Sequence, residues 1–587
     1  MPTPAPVPSP ALDMLKACKS LRQLAPMLGL KPAVLAMQLY TKDKRKSWYT
    51  SFEVKKKFGG TRQIHAPEPH LKNIQSRLAT ILQDCQFEVY ALNGHAEGPG
   101  KLGISHGFKR HHTIITNGRE HVGRRFVFNL DLHDFFGTIH FGRVRAFFQK
   151  NKDFRLDPKI AEVLAHICCY NGGLPQGSPC SPVVSNLIAH AVDTRLAKVA
   201  KRYGCTYTRY ADDLTFSTNL PQFPTAIATR DDSSHKWTPG ASVCKVIASS
   251  GFVINEKKTR MQYQGSRQEV TGLTVNRKVN VTSTYRATTR AMASRLFESG
   301  RFDFEHKTVI EGERVLVSKI EGSPKQLLGR FTHIDQVDRF NEKLRKINGI
   351  PGDVAPGRRK LFRDFLYFYK FYCASRPIIV CEGKTDNIYI KCAIKSMPTL
   401  FPRLIASVSP HELKVDLFKY SERRSSEVMQ MTGGVGGICH FIKNYAENMS
   451  RWAKAPRPEN PVIIVIDNDK GADSIYEAIA GITKKKKPKG FADFIHVISN
   501  IYVVPTPPVG GVKETDIECL FDTKTLSHKI NGKSFNKAKS INENKEYGKA
   551  PFAVEVVAKH CSTIDFSGFK PLLNRIELAI KHYSTLP

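Results

Sequence analysis

Carboxylates that stand within or directly after apolar, strand-like segments constrain the fold of this 587-residue chain more than any other sequence feature. Residues 124–136, RRFVFNLDLHDFF, contain Asp131 inside such a segment, and residues 461–469, PVIIVIDND, end in Asp467 and Asp469. A buried carboxylate is costly unless it is paired or bound to a metal ion. Both segments therefore predict strands that carry acidic side chains to a functional site.

A second acidic group lies in residues 206–218, TYTRYADDLTFST, where β-forming residues flank Ala211, Asp212 and Asp213. This pattern predicts a β-hairpin with two carboxylates at its tip. An acidic pair in a turn, taken alone, is more often a solvated loop. Together with Asp131 on a neighbouring strand, however, the pair could hold two Mg²⁺ ions, which would lower the pKa of an attacking hydroxyl and stabilise a leaving pyrophosphate.

The charge balance predicts a polyanionic partner, and nucleic acid is the first choice. The chain has 89 Lys and Arg against 53 Asp and Glu, a net charge of +36. Its 41% hydrophobic and 10% aromatic residues suffice for folded cores and exclude a wholly disordered basic tail. No apolar run approaches the roughly 18 residues of a membrane span, and residues 1–10, MPTPAPVPSP, lack the features of a secretion signal. We therefore expect a cytosolic protein without membrane contact.

These acidic segments resemble the catalytic motifs of the reverse transcriptases. YADD at 210–213 matches the family's YxDD box, Asp131 matches its upstream metal-binding aspartate, and LPQGSPCSP at 174–182 matches its LPQGxxxSP loop, all in the family's order. GFVINEKK at 251–258 resembles the next palm motif, with solvated lysines as the equal alternative. The resemblance implies an α+β right-hand polymerase of fingers, palm and thumb that uses dNTPs and two Mg²⁺ ions. The implied metal ligands are three aspartate side chains and one backbone carbonyl: Asp131, Asp212, Asp213 and Leu132.

The same resemblance assigns residues to the incoming nucleotide. Gln176 would contact it, and Phe136 would be the steric gate, because a bulky ring leaves room for a deoxyribose but not for a ribose 2′-hydroxyl. A core phenylalanine is the plain alternative for Phe136. Residues 55–67, KKKFGGTRQIHAP, predict a basic hairpin that turns at Gly59–Gly60. Arg62 would bind the triphosphate, since a planar guanidinium pairs well with phosphate oxygens.

Shorter motifs narrow the resemblance to the retron reverse transcriptases. NGREH at 117–121 resembles their NAxxH motif, with glycine in place of alanine, and VTG at 270–272 matches their VTG motif before the thumb. Arg286 and Arg290 follow one helical turn apart and could grip duplex phosphates, with an exposed charged face as the equal alternative. The residues implied in binding RNA or DNA are Asn117, His121, Val270, Thr271, Gly272, Arg286 and Arg290.

What the retron resemblance implies goes beyond polymerisation. Retron enzymes bind one structured non-coding RNA and begin DNA synthesis at the 2′-hydroxyl of an internal guanosine. They copy part of that RNA and leave a branched RNA–DNA hybrid, msDNA, that stays bound. The implied activity is therefore a bacterial, cytoplasmic RNA-directed DNA polymerase whose partners are its cognate RNA, the branched product and dNTPs. The net charge of +36 is consistent with holding such a product and with an oligomer assembled on nucleic acid.

The C-terminal part of the chain changes to short apolar runs that alternate with helical segments, which predicts a parallel α/β sheet. PIIVCEGKTD at 377–386 is a strand-like run followed by a turn; it is not a P-loop, because Ile378 stands where the first glycine is required. Open α/β sheets place their sites at the carboxyl ends of their strands. The side chains expected to converge there, on one or two Mg²⁺ ions, are Glu382, Asp467 and Asp469.

EGKTD, followed by a second apolar strand and DND, resembles the TOPRIM domain, a Rossmann-like α/β fold. Glu382 would match its glutamate, a general acid or base, and Asp467 and Asp469 would match its metal ligands; DND alone is more often an Asx-rich turn. Glu518 in TDIECLF resembles the later, metal-binding glutamate of the nuclease-type TOPRIM domains related to OLD-family enzymes. The rivals for that role are Glu514 and Asp516.

TOPRIM domains occur in topoisomerases, primases and nucleases. No segment looks large enough to supply a topoisomerase's tyrosine-bearing domain, and a primase would be redundant beside a polymerase, so the resemblance favours a Mg²⁺-dependent nuclease. Retron–TOPRIM fusions resemble anti-phage systems of a toxin–antitoxin kind, in which the RNA–DNA hybrid restrains the effector until infection. The alternative is an RNA-binding, maturase-like scaffold with a non-catalytic TOPRIM interaction module.

The length predicts three to five domains, at roughly 100 to 200 residues per domain. We expect a Pro-rich tail and helical segment at 1–50, fingers and palm at 51–283, a thumb and linker helix at 284–375, and a TOPRIM domain with a C-terminal extension at 376–587. A Pro/Gly/basic stretch within 341–360 predicts a linker. The aromatic run LFRDFLYFYKFY that follows predicts a buried helix.

Overall fold

A computed structural model describes residues 11–40, 48–55, 60–92, 103–231, 233, 236–309, 315–350, 356–406, 412–420, 423–488, 490–512, 514–538 and 540–586. The predictions for the Pro-rich start, for Gly59 in the fingers turn and for residues 351–355 of the linker lie outside these ranges. The chain divides into two compact units. Unit 1 comprises Met1–Arg286, Lys307–Ser318 and Gln336–Pro351, and unit 2 comprises Ala287–His306, Lys319–Asp335 and Gly352–Pro587. Residues 375 and 376, between which the sequence predicts a boundary, both belong to unit 2.

Unit 1 is built around an antiparallel sheet with strand order β4–β5–β3–β8, and β9 also pairs with β3. Its strands are β1 (Tyr49–Lys55), β2 (Thr61–Pro67), β3 (Phe126–His133), β4 (Thr206–Tyr210), β5 (Asp213–Thr218), β6 (Ala228–Arg230), β7 (Trp237–Pro239), β8 (Val253–Ile254), β9 (Arg260–Tyr263), β10 (Glu269–Val270) and β11 (Leu273–Thr274). Its helices are α1 (Ala11–Ala17), α2 (Leu21–Met27), α3 (Pro32–Tyr40), α4 (Pro69–Leu92), α5 (Ile114–Arg119), α6 (Phe141–Lys150), α7 (Pro158–Cys168), α8 (Cys180–Arg202) and α9 (Ala241–Ser249).

Strand β3 is central to this sheet because both of its edges are paired. Its apolar and β-forming residues favour a strand, and Phe128, Leu130 and Leu132 are buried in the core of the unit. Helices α1, α2 and α3 confirm the predicted helical N-terminal segment, and leucines from all three lie in the same core. The chain then passes through both units in α10 (Ser283–Ser299), β12 (Asp303–Val309), β13 (Val315–Glu321) and α11 (Pro324–Ile347).

Unit 2 contains the predicted parallel sheet, with strand order β15–β14–β16–β18–β17, in which β17 runs antiparallel to β18. Its strands are β14 (Ile378–Cys381), β15 (Asp416–Leu417), β16 (Val462–Ile466), β17 (Ile495–Ile498), β18 (Ile501–Pro505), β19 (Ser534–Phe535) and β20 (Glu546–Tyr547). Its helices are α12 (Pro356–Tyr367), α13 (Asp386–Ser396), α14 (Arg423–Met429), α15 (Val435–Trp452), α16 (Asp473–Thr483), α17 (Thr523–Leu526), α18 (Lys549–Pro551) and α19 (Lys570–Thr585), with π-helical turns at Phe368–Tyr372 and Phe552–Ala558.

Both faces of the unit 2 sheet are covered, which explains why its strands are continuously apolar. Successive side chains of a strand point to opposite faces, and here they enter two different cores. Val380 and Ile464 pack into one core, whereas Ile379 and Ile463 pack into the other. The carboxyl edge of the sheet, rather than a face, is therefore where polar groups can stand.

Residues predicted for the thumb share a core with the C-terminal sheet. The Phe297 ring lies 5.3 Å from that of Phe368, and Phe331 stacks on Phe362 at 5.3 Å. Helix α12 and the π-helical turn that follows it are buried in the same core, which confirms the burial predicted for LFRDFLYFYKFY. None of the helices in the described ranges combines the length and apolar character that a membrane span requires.

Candidate active sites

The hairpin predicted at residues 206–218 is present, with the acidic pair at its tip. Strands β4 and β5 are antiparallel, and Ala211 adopts a left-handed φ of +57° in the turn between Tyr210 and Asp213. Strand β5 also pairs with β3 in a register that sets Asp131 opposite Asp213. The Leu132 amide donates a hydrogen bond of 3.0 Å to the Asp212 carbonyl. The register thus brings three aspartates to one end of the sheet.

Asp131 is buried and both of its carboxylate oxygens are occupied. Asn255 Nδ2 donates to Oδ1 at 3.0 Å, and Lys258 Nζ forms an ion pair with Oδ2 at 2.7 Å. Burial lowers the pKa of Lys258, but the hydrogen bond and charge of Asp131 outweigh it and leave that pKa raised. Of the two lysines in GFVINEKK, Lys258 therefore belongs to the acidic cluster.

The other two aspartates, Asp212 and Asp213, lie close to other negatively charged carboxylates. Burial and the charge of Asp131 raise the pKa of Asp212. Asp213 is the exposed first residue of β5, yet desolvation of its carboxylate, followed by the charges of Asp212 and Asp131, raises its pKa to about 7, against the opposing effect of Lys258. Loss of solvation and neighbouring negative charge both disfavour an ionised carboxylate, so these two aspartates favour a nearby cation.

A cavity of about 960 Å³ in unit 1 collects the residues predicted to meet the nucleotide. Its lining includes Asp131, Leu132 and Asp212 on one side and the candidates Arg62, Phe136 and Gln176. Phe136 is half-buried, and its ring lies 6.1 Å from that of Phe108, which also lines the cavity. This lining offers a polar ligand the guanidinium of Arg62 and the amide of Gln176. An aromatic ring and the acidic cluster line the same cavity.

A close backbone contact fixes Gln176 relative to the β1–β2 hairpin. The His65 amide on β2 donates a hydrogen bond of 2.8 Å to the Gln176 carbonyl. Gly177 has φ +129°, and a Cβ there would stand 2.6 Å from the His65 carbonyl oxygen. A side chain at this position would clash and strain the backbone. The glycine of LPQG therefore lets the loop and the hairpin that carries Arg62 approach each other.

The two retron-type motifs are neighbours, but several of their side chains face the interior. His121 is fully buried, and its ring nitrogens lie 2.7 Å from Ser217 Oγ and 2.7 Å from Thr208 Oγ1. Burial lowers the pKa of His121 to about 3. Asn117 and Val270 are buried as well. These three side chains therefore lie in the interior in this structure, and their predicted contact with RNA or DNA stays a prediction.

The exposed part of the same element is the turn between β10 and β11. Thr271 and Gly272 both have positive φ, and Thr271 Oγ1 donates to the Ile114 carbonyl at 3.4 Å, which joins the turn to α5. Arg286 is half-buried and donates to Asn280 Oδ1 at 2.8 Å, whereas Arg290 is exposed. These four residues keep the accessible surface that a nucleic-acid contact requires.

Known proteins match this part of the chain. The family model for reverse transcriptase (RNA-dependent DNA polymerase) matches residues 54–276. The retron Mx65 reverse transcriptase of Myxococcus xanthus is 32% identical over 327 residues, which cover 52% of this chain and 70% of that protein. The chain belongs to the retron reverse transcriptase family. The retron Ec86 reverse transcriptase of Escherichia coli is 31% identical over 294 residues, 50% of this chain and 82% of that protein.

A solved telomerase from Candida albicans aligns with 56% of this retron family member and 66% of that chain, at 11% identity and a TM-score of 0.31. The family model ends before unit 2 begins its parallel sheet. The acidic residues predicted in unit 2 of this retron reverse transcriptase, Glu382, Asp467 and Asp469, therefore lie outside the residues that the family model matches.

Glu382 and Asp467 are the first residues after two adjacent parallel strands. Cys381 pairs with Val465, and the Glu382 amide donates to the Val465 carbonyl at 3.1 Å, so both carboxylates stand at the carboxyl edge of the sheet. A cavity of about 960 Å³ there is lined by Glu382, Asp467 and Asp469, together with Asp516. Asp469 is exposed and accepts from the Gly471 amide at 2.8 Å.

Several neighbouring carboxylates affect the pKa of Asp467. Its Oδ1 accepts from the Ile517 amide at 3.0 Å, yet burial and the charges of Asp386, Glu382 and Glu518 raise its pKa to about 8. Glu518 is buried; its Oε2 is 2.9 Å from Lys549 Nζ and its Oε1 is without a partner. Glu382 Oε2 is likewise buried without a partner, and burial raises the pKa of Glu382.

The structure also brings forward residues that sequence reasoning left unassigned. Asp386, the last residue of EGKTD, is buried, accepts from the Gly383 amide at 2.7 Å and contributes to the raised pKa of Asp467. Of the two rivals of Glu518, Asp516 lines the cavity and forms an ion pair with Lys537 at 2.8 Å, while Glu514 is exposed. The EGKTD motif could have pointed to Asp386, but no sequence pattern points to Lys549.

Both acidic groups suit Mg²⁺ in the chemistry of their donors. They consist of carboxylate oxygens, the hard ligands that Mg²⁺ prefers, and burial together with neighbouring carboxylates raises the pKa values of Asp213 and Asp467. The orphaned oxygens of Glu382 and Glu518 add unused acceptors. Within the described residues, no group of three or more His, Cys, Asp or Glu side chains is already arranged to hold an ion.

Proposed function

We propose that this protein copies its cognate non-coding RNA into DNA from an internal 2′-hydroxyl, leaving a branched RNA–DNA hybrid, and that Asp131, Asp212 and Asp213 are its catalytic residues. The observation that carries this proposal is the strand register that sets Asp131 opposite Asp213, at the end of the sheet where Asp212 lines a cavity with Arg62 and Gln176. Membership of the retron family supports the branched product. We place this activity in the bacterial cytoplasm.

The candidate residues at this cavity would each have a part in that reaction. The aspartates, with the Leu132 carbonyl, would hold two Mg²⁺ ions, which supply the lowered pKa of the attacking hydroxyl and the stabilisation of pyrophosphate. Arg62 would pair with the triphosphate through its guanidinium fork, and Gln176 would contact the nucleotide. Phe136 would close the cavity against a ribose 2′-hydroxyl.

Phe136→Ala is expected to lower the preference for dNTPs over rNTPs roughly 10- to 100-fold, since truncating the ring opens space for the 2′-hydroxyl. Phe136→Tyr keeps the ring and serves as the matched control, with the preference retained. The measurement is kcat/KM for dGTP and GTP on the same primed template. A Phe136→Ala enzyme that rejects GTP as strongly as the native protein would assign the ring to the core instead.

The branched product is tested on nucleic acid that co-purifies with the protein when it is expressed with its flanking DNA. A short DNA is expected, and RNase treatment should shift its mobility while leaving one ribonucleotide branch attached. Expression of the Asp212→Asn/Asp213→Asn variant from the same locus is the control and should yield RNA without DNA. If the native protein also carries only RNA, the branched-priming proposal fails and the RNA-binding scaffold becomes the better account.

For unit 2 we propose a TOPRIM-type, Mg²⁺-dependent nuclease that acts as an anti-phage effector restrained by the RNA–DNA hybrid. Its support is the placement of Glu382 and Asp467 at the carboxyl edge of adjacent parallel strands, where open α/β sheets hold their sites. Glu382, whose pKa is raised by burial, would exchange a proton during cleavage. Asp467, Asp469 and Glu518 would hold the metal.

A further inference from the structure

A buried ion pair lies directly behind the YADD hairpin of unit 1. Arg209 on β4 is fully buried, and its Nε and Nη2 donate to the two carboxylate oxygens of Asp193 on α8 at 2.7 and 2.8 Å. Asp193 is 1% exposed and also accepts from the Tyr207 hydroxyl at 3.0 Å. Burying two charges is costly, and apolar residues of similar volume often stabilise a fold equally well. The stability of the fold alone therefore does not account for this ion pair.

The remaining donors of the guanidinium reach the catalytic turn. Nη1 of Arg209 donates to the Ala211 carbonyl at 2.9 Å, and Nη2 also donates to Asn186 Oδ1 at 3.1 Å and to Ser105 Oγ at 3.2 Å. Ala211 is the residue in the left-handed conformation, and Asp212 follows it. One side chain thus joins helix α8 to the carbonyl of the turn residue.

A second contact involves Gly107, whose backbone packs against the same turn. Asn186 Nδ2 donates to the Gly107 carbonyl at 2.6 Å, and a Cβ on Gly107 would stand 2.5 Å from the Ala211 nitrogen. Gly107 therefore lies flat against the turn, and Asn186 fixes both Gly107 and Arg209. L-residues, unlike the achiral glycine, pay a conformational cost in the left-handed region, so Ala211 keeps this conformation because its surroundings hold it there.

We propose that Arg209, anchored on Asp193, is a positioning residue of the polymerase: it holds the Ala211 carbonyl and so aims Asp212 and Asp213 at the cavity. The inference rests on the proposed catalytic role of those two aspartates. Lysine cannot replace arginine here, because a single ammonium does not span the carboxylate and the turn carbonyl as the guanidinium fork does.

The test compares Arg209→Lys with Arg202→Lys, an exposed arginine at the end of the same helix α8. Both full-length variants copy a primed RNA template, and kcat, KM for dNTP and the Mg²⁺ concentration for half-maximal rate are measured below each variant's melting temperature. Misplacing catalytic groups by about 1 Å can cost on the order of 10²-fold in rate. Arg209→Lys is therefore expected to lower kcat about 10- to 100-fold and to raise the Mg²⁺ requirement, with KM and Arg202→Lys close to native.

The readouts separate positioning from mere stability. If the pair only stabilises the fold, Arg209→Lys melts earlier, but its kcat and Mg²⁺ dependence per folded molecule stay native, which overturns the proposal. If Arg209→Lys does not fold, Asn186→Ala is measured the same way, because it leaves the Asp193 ion pair in place. It should also lower kcat and raise the Mg²⁺ requirement with a native KM, but to a smaller extent. A folded Asn186→Ala variant with native kcat then overturns it.

Failure of the underlying function is distinguished by Asp212→Asn, measured alongside. An active Asp212→Asn enzyme removes the catalytic assignment itself, and the positioning inference falls with it. An inactive Asp212→Asn enzyme beside a native-like Arg209→Lys enzyme overturns only the role of Arg209. An inactive Asp212→Asn enzyme beside an impaired, folded Arg209→Lys enzyme is the result that we expect.

Discussion

Asparagine at both Asp212 and Asp213 is expected to reduce DNA synthesis on the order of 10³-fold or more, because neutral amides bind Mg²⁺ much more weakly than carboxylates and the metal ions stabilise the charge that develops in nucleotidyl transfer. The loss should appear in kcat on a primed RNA template at saturating dNTP. Asp134→Asn is the matched control: Asp134 is exposed, lines the same cavity and has φ +41°, which asparagine tolerates. It should keep near-native activity.

The same double variant carries an expectation of opposite sign for stability. The pKa of Asp213 in the folded protein is raised to about 7 from its ordinary 3.8, so the folded state binds more protons than the unfolded state between these values. The contribution of Asp213 to native stability must then fall as pH rises through this window, and that loss is complete above about pH 7. In metal-free buffer the double variant should melt at a higher temperature than the native protein at pH 7.5.

That difference should shrink at pH 5 and on addition of Mg²⁺, because protons and metal ions relieve the same repulsion. Melting temperatures at pH 5 and 7.5, with EDTA or Mg²⁺, measure it. An active double variant would contradict the catalytic assignment and favour the scaffold. An inactive variant that melts earlier than the native protein in EDTA at pH 7.5 would contradict the electrostatic account of the acidic cluster.

Glu382→Gln is expected to abolish cleavage by unit 2, and with it toxicity to the host. Glutamine preserves the shape of the side chain but can neither bind Mg²⁺ as an anion nor exchange a proton, and general acid–base catalysis alone contributes on the order of 10²- to 10⁴-fold. DNA synthesis by the same chain should continue, since the substitution lies in the other unit. This selectivity separates loss of a site from loss of the fold.

Two measurements check the nuclease. Growth of host cells is followed on expression of the chain without its RNA locus, and the purified chain is incubated with Mg²⁺ and DNA, mRNA or tRNA. Asp473→Asn is the control, because Asp473 is exposed and its ion pair with Lys487 lies outside the acidic cavity. Toxicity that survives in Glu382→Gln would identify unit 2 as a non-catalytic interaction module.

Local patterns in the sequence predicted strands in both units. Alternating β-forming residues around YADD predicted the β4–β5 hairpin, and continuous apolar runs predicted the parallel strands β14 and β16. These patterns are reliable because each strand must match the exposure of its own faces. The order of the polymerase motifs along the chain supported the resemblance to retron reverse transcriptases, and the similarity to known retron enzymes confirms that the chain belongs to this family. The TOPRIM resemblance and the site residues stay predictions.

Pairings between distant segments follow from the tertiary structure and not from any local pattern. The register that sets Asp131 against Asp213, the ion pair of Lys258 with Asp131 and the burial of His121 depend on how strands and helices pack, and no local spacing encodes them. The same is true of Arg209, whose partner Asp193 lies on a helix. The sequence by itself placed the acidic residues on the right elements, since periodicity is local. Their neighbours, and hence their pKa values, belong to the fold, because electrostatic interactions act across space rather than along the chain.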